Sequence, residues 1–317
     1  MKTHLVFRMY VWLLETIRRY RRLSLEEINA LWLRSDLSEG QAMARSTFNY
    51  HRRNIEEMFD INIECDTRDG YRYYIENGDS LDANNVQNYL IETLSVSNAL
   101  AQTKYIRNRI VLEKIPMGQQ YLSSIVKALK ENIVISIQYQ AFRRDVPSKP
   151  FLIEPYCLKV FNQRWYILAR KATHDVVLEQ DFSDDFDYSL KVFALDRIAS
   201  LELTDENFLY YSEFSPENFF RYSYGIYISH MEEAREIVVR VYGEDREYLR
   251  TCPIHDSQEE LIATSGYTDY KFFLKPTYDF VQKLLSYGAN IEVMRPLDFR
   301  NVFHQSALDS VEIYEGR

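Results

Sequence analysis

Side chains suited to contacting nucleic acid cluster on one face of a helix predicted over residues 46–59. Phe48, Ile55 and Phe59 form the apolar stripe of this helix, at roughly 100° per residue. The same rotation leaves the opposite face to Thr47, Asn49, Tyr50 and Arg53, while His51 and Arg52 fall nearer the core. Hydroxyl, amide and guanidinium groups on an exposed helix can contact base edges and phosphates. A solvated surface helix has a similar composition, so a purely structural role remains open.

Two helices and a hairpin are predicted around this segment. The spacing of Tyr10, Leu13, Leu14 and Ile17 indicates a helix over residues 7–22. Ser24 and Glu27 form a capping box for a second helix, and Ser46 is expected to cap the third. Strand-like residues 61–65 and 71–75 flank an Asp-Gly turn. This order predicts a winged helix-turn-helix whose DNA contacts would be Arg45, Ser46, Thr47, Asn49, Tyr50, Arg52, Arg53 and, at the wing tip, Arg68.

The middle of the chain changes from helical to strand periodicity. A break at residues 76–80 is followed by predicted helices over 85–101 and 119–131, which we interpret as a helical linker. From Ile133 apolar residues alternate, and further strands are predicted over 156–161, 164–170 and 190–195. This spacing predicts a small β-barrel.

The third of these strands carries a family resemblance. Arg164-Trp165-Tyr166-Ile167 resembles the motif that names the WYL-domain family, and three flanking segments, 137–139, 154–156 and 193–198, agree with that family in order. Residues 45–55 resemble the recognition helix of the DeoR-like regulators that often precede WYL domains. The resemblance implies an Sm-like barrel with a pocket of tyrosine and basic side chains that binds nucleotides or single-stranded nucleic acid.

The candidate ligand-binding residues follow from that implication. They are Tyr139, Arg143, Arg144, Arg164, Tyr166, Lys191 and Arg197. A base stacked on a tyrosine contributes about 1–3 kcal/mol, and the basic groups can pair with phosphate. We expect Trp165 and Ile167 to pack in the barrel and Tyr166 to contact ligand. Arg197 could equally form a surface ion pair with Asp196 or Asp205. Lys191 and Ala194 depart from the family, which usually has an arginine and often a basic residue there.

The C-terminal third has the predicted order β-α-β-β-α-β, which is that of a ferredoxin-like fold. It resembles the WYL C-terminal extension, which implies dimer contacts and closure over ligand. The chain is therefore predicted to be an α+β protein. Its domains would be a winged helix-turn-helix over 1–78, a helical linker over 79–132, a WYL domain over 133–224 and the extension over 225–317.

Composition limits the classes of function. Residues 1–76 hold 12 basic and 12 acidic side chains, so the net charge of −9 resides in the remainder. The six histidines and three cysteines are dispersed without metal-ligand spacing, and no nucleophile elbow or P-loop occurs, so we expect neither an enzyme, a cofactor nor a metal site. The aspartates at 181, 184, 185 and 187 fit a solvated loop better than a calcium site. No leader or membrane-spanning segment is apparent, which predicts a cytoplasmic protein.

Two functions remain. The first is a homodimeric transcriptional regulator that binds a duplex operator and responds to a nucleotide or single-stranded nucleic acid ligand. The second is an accessory WYL protein that modulates a nuclease or another effector without sequence-specific DNA binding.

Overall fold

The computed structural model describes residues 3–76, 86–101, 109, 118–142, 145–172 and 186–316. The chain divides into two compact units, Met1–Glu113 and Lys114–Arg317. Among the helices within these described ranges, none is both long and apolar enough to cross a membrane.

The first unit consists of helices and one hairpin. Its elements are α1 (Thr3–Tyr20), α2 (Leu25–Trp32), α3 (Arg45–Phe59), β1 (Ile63–Asp66), β2 (Arg72–Ile75) and α4 (Val86–Ala101). Strands β1 and β2 are antiparallel, with Ile63 opposite Ile75. Leu23 adds an antiparallel bridge to Tyr73. Three helices followed by a hairpin is the predicted order.

The periodic apolar residues of this unit form its core. Leu13, Ile17, Phe48 and Ile55 are all buried, as their helical spacing predicts. Burial of this stripe, rather than helix propensity, is what holds short helices in place.

The predicted cap of α2 is confirmed and that of α3 is wrong. Ser24 and Glu27 exchange both hydrogen bonds of a capping box. Helix α3 begins at Arg45, one residue earlier than predicted, with Ala44 at its N-cap and no side-chain cap there. The segment before α3 is instead held by the Asn29 side chain, which accepts from Met43 N at 2.7 Å and donates to Met43 O at 2.9 Å.

Helix α4, which we predicted as part of a linker, packs into the first unit. Ile91 is 2% exposed and belongs to the same apolar core as Phe48. Glu92 also lies 3.5 Å from the guanidinium of Arg18 on α1. Residues of this predicted linker therefore belong to the N-terminal core.

The second unit begins with a helix and a five-stranded sheet. The elements are α5 (Leu122–Glu131), β3 (Ile133–Tyr139), β4 (Phe151–Phe161), β5 (Arg164–Lys171), α6 (Phe186–Ser189), β6 (Leu190–Ala194), a 3-10 turn (Leu195–Arg197) and β7 (Ile198–Asn207). The strands are antiparallel in the order β6-β5-β4-β3-β7. Strand β7 was not predicted, because its exposed acidic residues obscure the alternation.

Helix α5, the second predicted linker helix, also belongs to a core. Ile125 and Ala128 are fully buried against Ile135, Ile153 and Ile167 of the sheet. The sheet is covered on its other face as well, where Leu168 packs in a separate apolar cluster.

The second unit ends with an α/β layer. It contains α7 (Pro216–Phe220), β8 (Arg235–Tyr242), α8 (Asp245–Thr251), β9 (Glu259–Ala263), β10 (Tyr267–Leu274), α9 (Tyr278–Leu285), β11 (Ile291–Arg295) and α10 (Leu297–Glu315). From β8 to β11 the observed element order is the predicted β-α-β-β-α-β, and the antiparallel sheet runs β11-β8-β10-β9. Val239, Phe272 and Phe280 are buried in the apolar core between this sheet and its helices. Helix α10 was not predicted.

Candidate functional site

Helix α3 presents most of the predicted DNA-contacting side chains on its open face. Those that are exposed are Arg45, Ser46, Thr47, Tyr50 and Arg53, and Asn49 is half-buried. Tyr50 is 63% exposed. The helix thus exposes two hydroxyl groups, the ring of Tyr50 and the guanidinium groups of Arg45 and Arg53 to solvent.

On its opposite side, α3 makes its polar contacts with α1 at the hydroxyl and ring of Tyr10. The Asn54 side chain donates to Tyr10 Oη at 2.9 Å, and the His51 ring packs 5.4 Å from the Tyr10 ring between centroids. Burial lowers the pKa of His51, since the imidazolium would be desolvated there. His51 is therefore a core residue, as its position in the helical pattern predicts.

Arg52 does not lie on the open face. Its guanidinium donates to the main-chain oxygen of Ile63 at 3.1 Å and approaches the Glu56 carboxylate at 3.9 Å. Glu56 in turn accepts from Ile63 N at 2.9 Å. Arg52 thus serves the junction of α3 and β1 with part of its guanidinium, and its inclusion among the DNA contacts stays a prediction.

The turn between β1 and β2, which would be the tip of the predicted wing, is tight and has Arg68 exposed on it. Asp66 Oδ1 accepts from the main-chain N–H of Arg68 at 3.0 Å and of Asp69 at 3.3 Å. The hydrogen bond from Arg68 N is the main reason that the pKa of Asp66 is lowered. Gly70 completes the turn at φ +66°, in the left-handed region that favours glycine.

Tyr71 is a residue of this surface that the sequence analysis missed. It is 57% exposed, and the guanidinium of Arg45 lies 5.8 Å from its ring centroid. This contact joins the start of α3 to the wing. An aromatic residue directly after an Asp-Gly turn was the available signal.

On the five-stranded sheet, Tyr166 is buried. Only 5% of its surface is exposed, and Ile167 beside it is fully buried. Trp165 and Ile167 pack in the cluster that contains α5, as expected. The prediction that the Tyr166 ring is free to stack on a base is contradicted, because β5 is covered on both faces.

Arg164 is engaged by a carboxylate that follows β6. Its Nη2 donates to Asp196 Oδ2 at 2.6 Å, and this hydrogen bond raises the pKa of the guanidinium. The guanidinium also lies 5.7 Å from the Tyr166 ring centroid. About a third of the Arg164 side chain, 30%, remains exposed, so the group is accessible although paired.

Arg197 is fixed by aromatic and main-chain contacts rather than by the ion pair considered above. Its guanidinium lies 3.4 Å from the Phe142 ring centroid and 4.9 Å from that of Tyr139, and it donates to Gln140 O. Phe142 is 86% exposed. Tyr139 accepts at its hydroxyl from Ala194 N at 3.1 Å. The predicted Tyr139 and Arg197 thus lie together at one end of the sheet, with Phe142 beside them.

Residues 120–203 match the model of the WYL domain. The match begins two residues before α5 and runs through the sheet into β7. Among curated proteins no match was found.

Two solved structures resemble the chain at low identity. Proteasome accessory factor B/C (PafBC) of Arthrobacter aurescens is 17% identical with a TM-score of 0.30, covering 95% of this chain and 45% of that one. The chain therefore spans less than half the length of PafBC. The crystal structure of a CRISPR Cas-related protein is 11% identical with a TM-score of 0.38, covering 92% of this chain and 76% of that one.

The remaining predicted ligand contacts of the WYL domain are Lys191, Arg143 and Arg144. Lys191 is exposed on β6, opposite Ala169, and forms no ion pair with the described residues. Arg143 and Arg144 lie outside the described residues, as do the aspartates at 181, 184 and 185. In the described ranges no three histidine, cysteine or acidic side chains converge as metal ligands would.

A basic residue of the WYL domain that the sequence analysis missed is Lys159. It lies directly opposite Tyr166 across β4 and β5, with its amine 3.9 Å from the Phe220 ring centroid. Burial lowers its pKa to about 8. No local pattern marked it, because the residues that bury it come from distant parts of the chain.

Proposed function

We propose that this chain is a ligand-responsive transcriptional regulator. Residues 1–78 would bind duplex DNA as a DeoR-like winged helix-turn-helix, and the WYL domain would bind a nucleotide or single-stranded nucleic acid. The observation that carries the DNA-binding part is a set of three exposed arginines on α3 and the wing, Arg45, Arg53 and Arg68.

Within the described part of the unit these three arginines have no acidic partner, whereas Arg22 and Arg72 do. Arg22 pairs with Asp66 at 3.1 Å, and Arg72 pairs with Glu27 at 3.3 Å. Unpaired guanidinium groups can neutralise phosphates at a lower cost, since no existing ion pair must be broken. This local excess of unpaired positive charge supports DNA binding, although residues 1–76 as a whole carry no net charge.

The ligand part is supported by the group of Tyr139, Phe142, Arg164 and Arg197 around the end of β6. Two rings and two guanidinium groups offer stacking and phosphate contacts. We further propose an Sm-like barrel, a ferredoxin-like C-terminal extension that forms the contacts of a cytoplasmic homodimer, and no catalytic role. Ligand binding would change operator affinity 5- to 150-fold for a coupling of about 1–3 kcal/mol.

The DNA-binding proposal is tested by selecting duplexes from a random library with the purified full chain and measuring their affinity by anisotropy over a salt series. Arg53→Ala and Arg68→Ala should each weaken binding and reduce the slope of log affinity against log salt by about 0.9 per lost phosphate contact. Arg250→Ala, which removes a guanidinium paired with Glu260 in the second unit, should leave both unchanged. Equal affinities for the wild type and all three variants would show that the exposed face of α3 and the hairpin turn does not bind DNA.

A second candidate function is favoured by the charge balance of residues 1–76. An accessory protein that acts on a nuclease or another effector would need no excess of positive charge there. Such a protein would recover no preferred duplex in the selection while still binding single-stranded oligonucleotides.

A further inference from the structure

We propose that Asp196 is an internal competitor for the anionic ligand of the WYL domain, given the phosphate-binding role proposed above. Its carboxylate holds the guanidinium of Arg164, which is the group that a ligand phosphate would otherwise contact. Ligand would therefore bind only by displacing or sharing this ion pair.

The ion pair is close but incomplete. Arg164 Nη2 and Asp196 Oδ2 are 2.6 Å apart, while Arg164 Nε and Asp196 Oδ1 are both buried and have no hydrogen-bond partner among the described residues. A bidentate pair would satisfy both of those atoms. The carboxylate thus binds Arg164 through one contact, and the pair is weaker than a bidentate one.

The two side chains differ in accessibility. The Arg164 side chain is 30% exposed and that of Asp196 is 14% exposed. Arg164 is therefore the more accessible partner of the pair to a phosphate arriving from solvent. The two anions would lie on the same cation, and their repulsion opposes ligand binding.

The backbone holds Asp196 in this position. Leu195, the preceding residue of the 3-10 turn, is fully buried in the sheet core. Gly118 packs so closely on the turn that a Cβ atom there would lie 2.4 Å from Asp196 N. Arg197 on the other side is held by the main-chain oxygen of Gln140. The carboxylate is therefore presented to Arg164 by a fixed turn rather than by a free loop.

An asparagine at this position would retain an acceptor for Arg164 and remove the charge. With the repulsion gone, a phosphate would meet a cation rather than a neutral pair. Binding should become tighter, which is the opposite of what removal of a ligand-contacting residue produces.

The test compares the affinity of the wild-type full chain and of Asp196→Asn for a short fluorescein-labelled oligothymidylate, measured by anisotropy. We expect Asp196→Asn to bind about fivefold more tightly, the scale of a partly exposed ion pair. The matched control is Asp269→Asn, which makes the same change of charge in another arginine–aspartate pair, with Arg240 Nε 2.8 Å from Asp269 Oδ1. It should bind as the wild type does.

The outcomes are distinct. If wild type binds and Asp196→Asn binds equally or more weakly, the competitor role is wrong while ligand binding by the WYL domain stands. If neither protein binds, the proposed ligand binding fails and the competitor role with it. Asp196→Ser, which removes the charge with a smaller side chain, should also bind more tightly, and it decides the question if Asp196→Asn fails to fold in a thermal melt.

Discussion

The guanidinium of Arg52 donates a hydrogen bond to the main-chain oxygen of Ile63 over 3.1 Å, which joins α3 to strand β1. The main-chain nitrogen of the same residue, Ile63, donates to the Glu56 carboxylate at 2.9 Å. The open face of α3 and the wing are therefore oriented by an arginine that is next in sequence to Arg53, an exposed one.

Arg52→Ala should lower the free energy of unfolding by about 1.5–3 kcal/mol, because a charge-assisted hydrogen bond to a partly buried oxygen is lost. Arg53→Ala, the matched control, should change it by less than about 0.5 kcal/mol. Denaturant unfolding followed by circular dichroism measures both. Equal effects of the two substitutions would contradict the separation of roles.

Tyr166→Ala should destabilise the WYL domain by about 3–5 kcal/mol, since it removes a buried ring from a sheet packed on both faces. Tyr166→Phe keeps the ring and should leave both the melting temperature and oligonucleotide affinity close to those of wild type. Melting temperature and anisotropy are measured on the same preparations. A stable Tyr166→Ala protein that had lost only its affinity would show that the ring contacts ligand.

The stability of the first unit should fall in mild acid because of His51. Burial lowers its pKa in the folded chain below that of the unfolded chain. The stability contribution of the neutral ring is therefore present above the unfolded pKa, about 6.5, and is lost as the pH falls through the lower folded pKa. His51→Gln should show a smaller loss of unfolding free energy than wild type between about pH 7.5 and about pH 5.5.

The control for this prediction is His304→Gln, at an exposed position on α10. It should retain the wild-type dependence on pH. If the unfolding free energy of His51→Gln and of His304→Gln depended on pH in the same way, desolvation of His51 would not be the cause of the loss of stability in acid.

Alkylation should distinguish the cysteines. Burial raises the pKa of Cys157 to about 12, whereas Cys252 is exposed. Since the thiolate is the nucleophile, iodoacetamide at about pH 8 should modify Cys252 and leave Cys157 unmodified until the chain is denatured. Peptide mass spectrometry measures each site, and early modification of Cys157 would contradict its burial.

Features that depend on nearby residues could be predicted from the sequence. The apolar stripe of α3, the capping box of Ser24 and Glu27 and the Asp-Gly hairpin each involve residues within a few positions of one another. The same holds for the WYL motif, where four ordered segments indicated a domain whose model matches residues 120–203. Helical and strand periodicities depend only on residues within a short window, so they can be recognised without knowing how the rest of the chain folds.

The roles of individual side chains were decided by tertiary structure. Helical periodicity places Arg52 nearer the core than Arg53, but it does not show that Arg52 meets the carbonyl of Ile63. Alternation along β5 could not show whether Trp165 or Tyr166 faces ligand, because both faces of that strand are covered. Arg164 and Asp196 are 32 positions apart, and their contact exists only because β5 and β6 pair in one register. Which residues meet across such a separation is determined by strand register and packing, and no local sequence pattern specifies them.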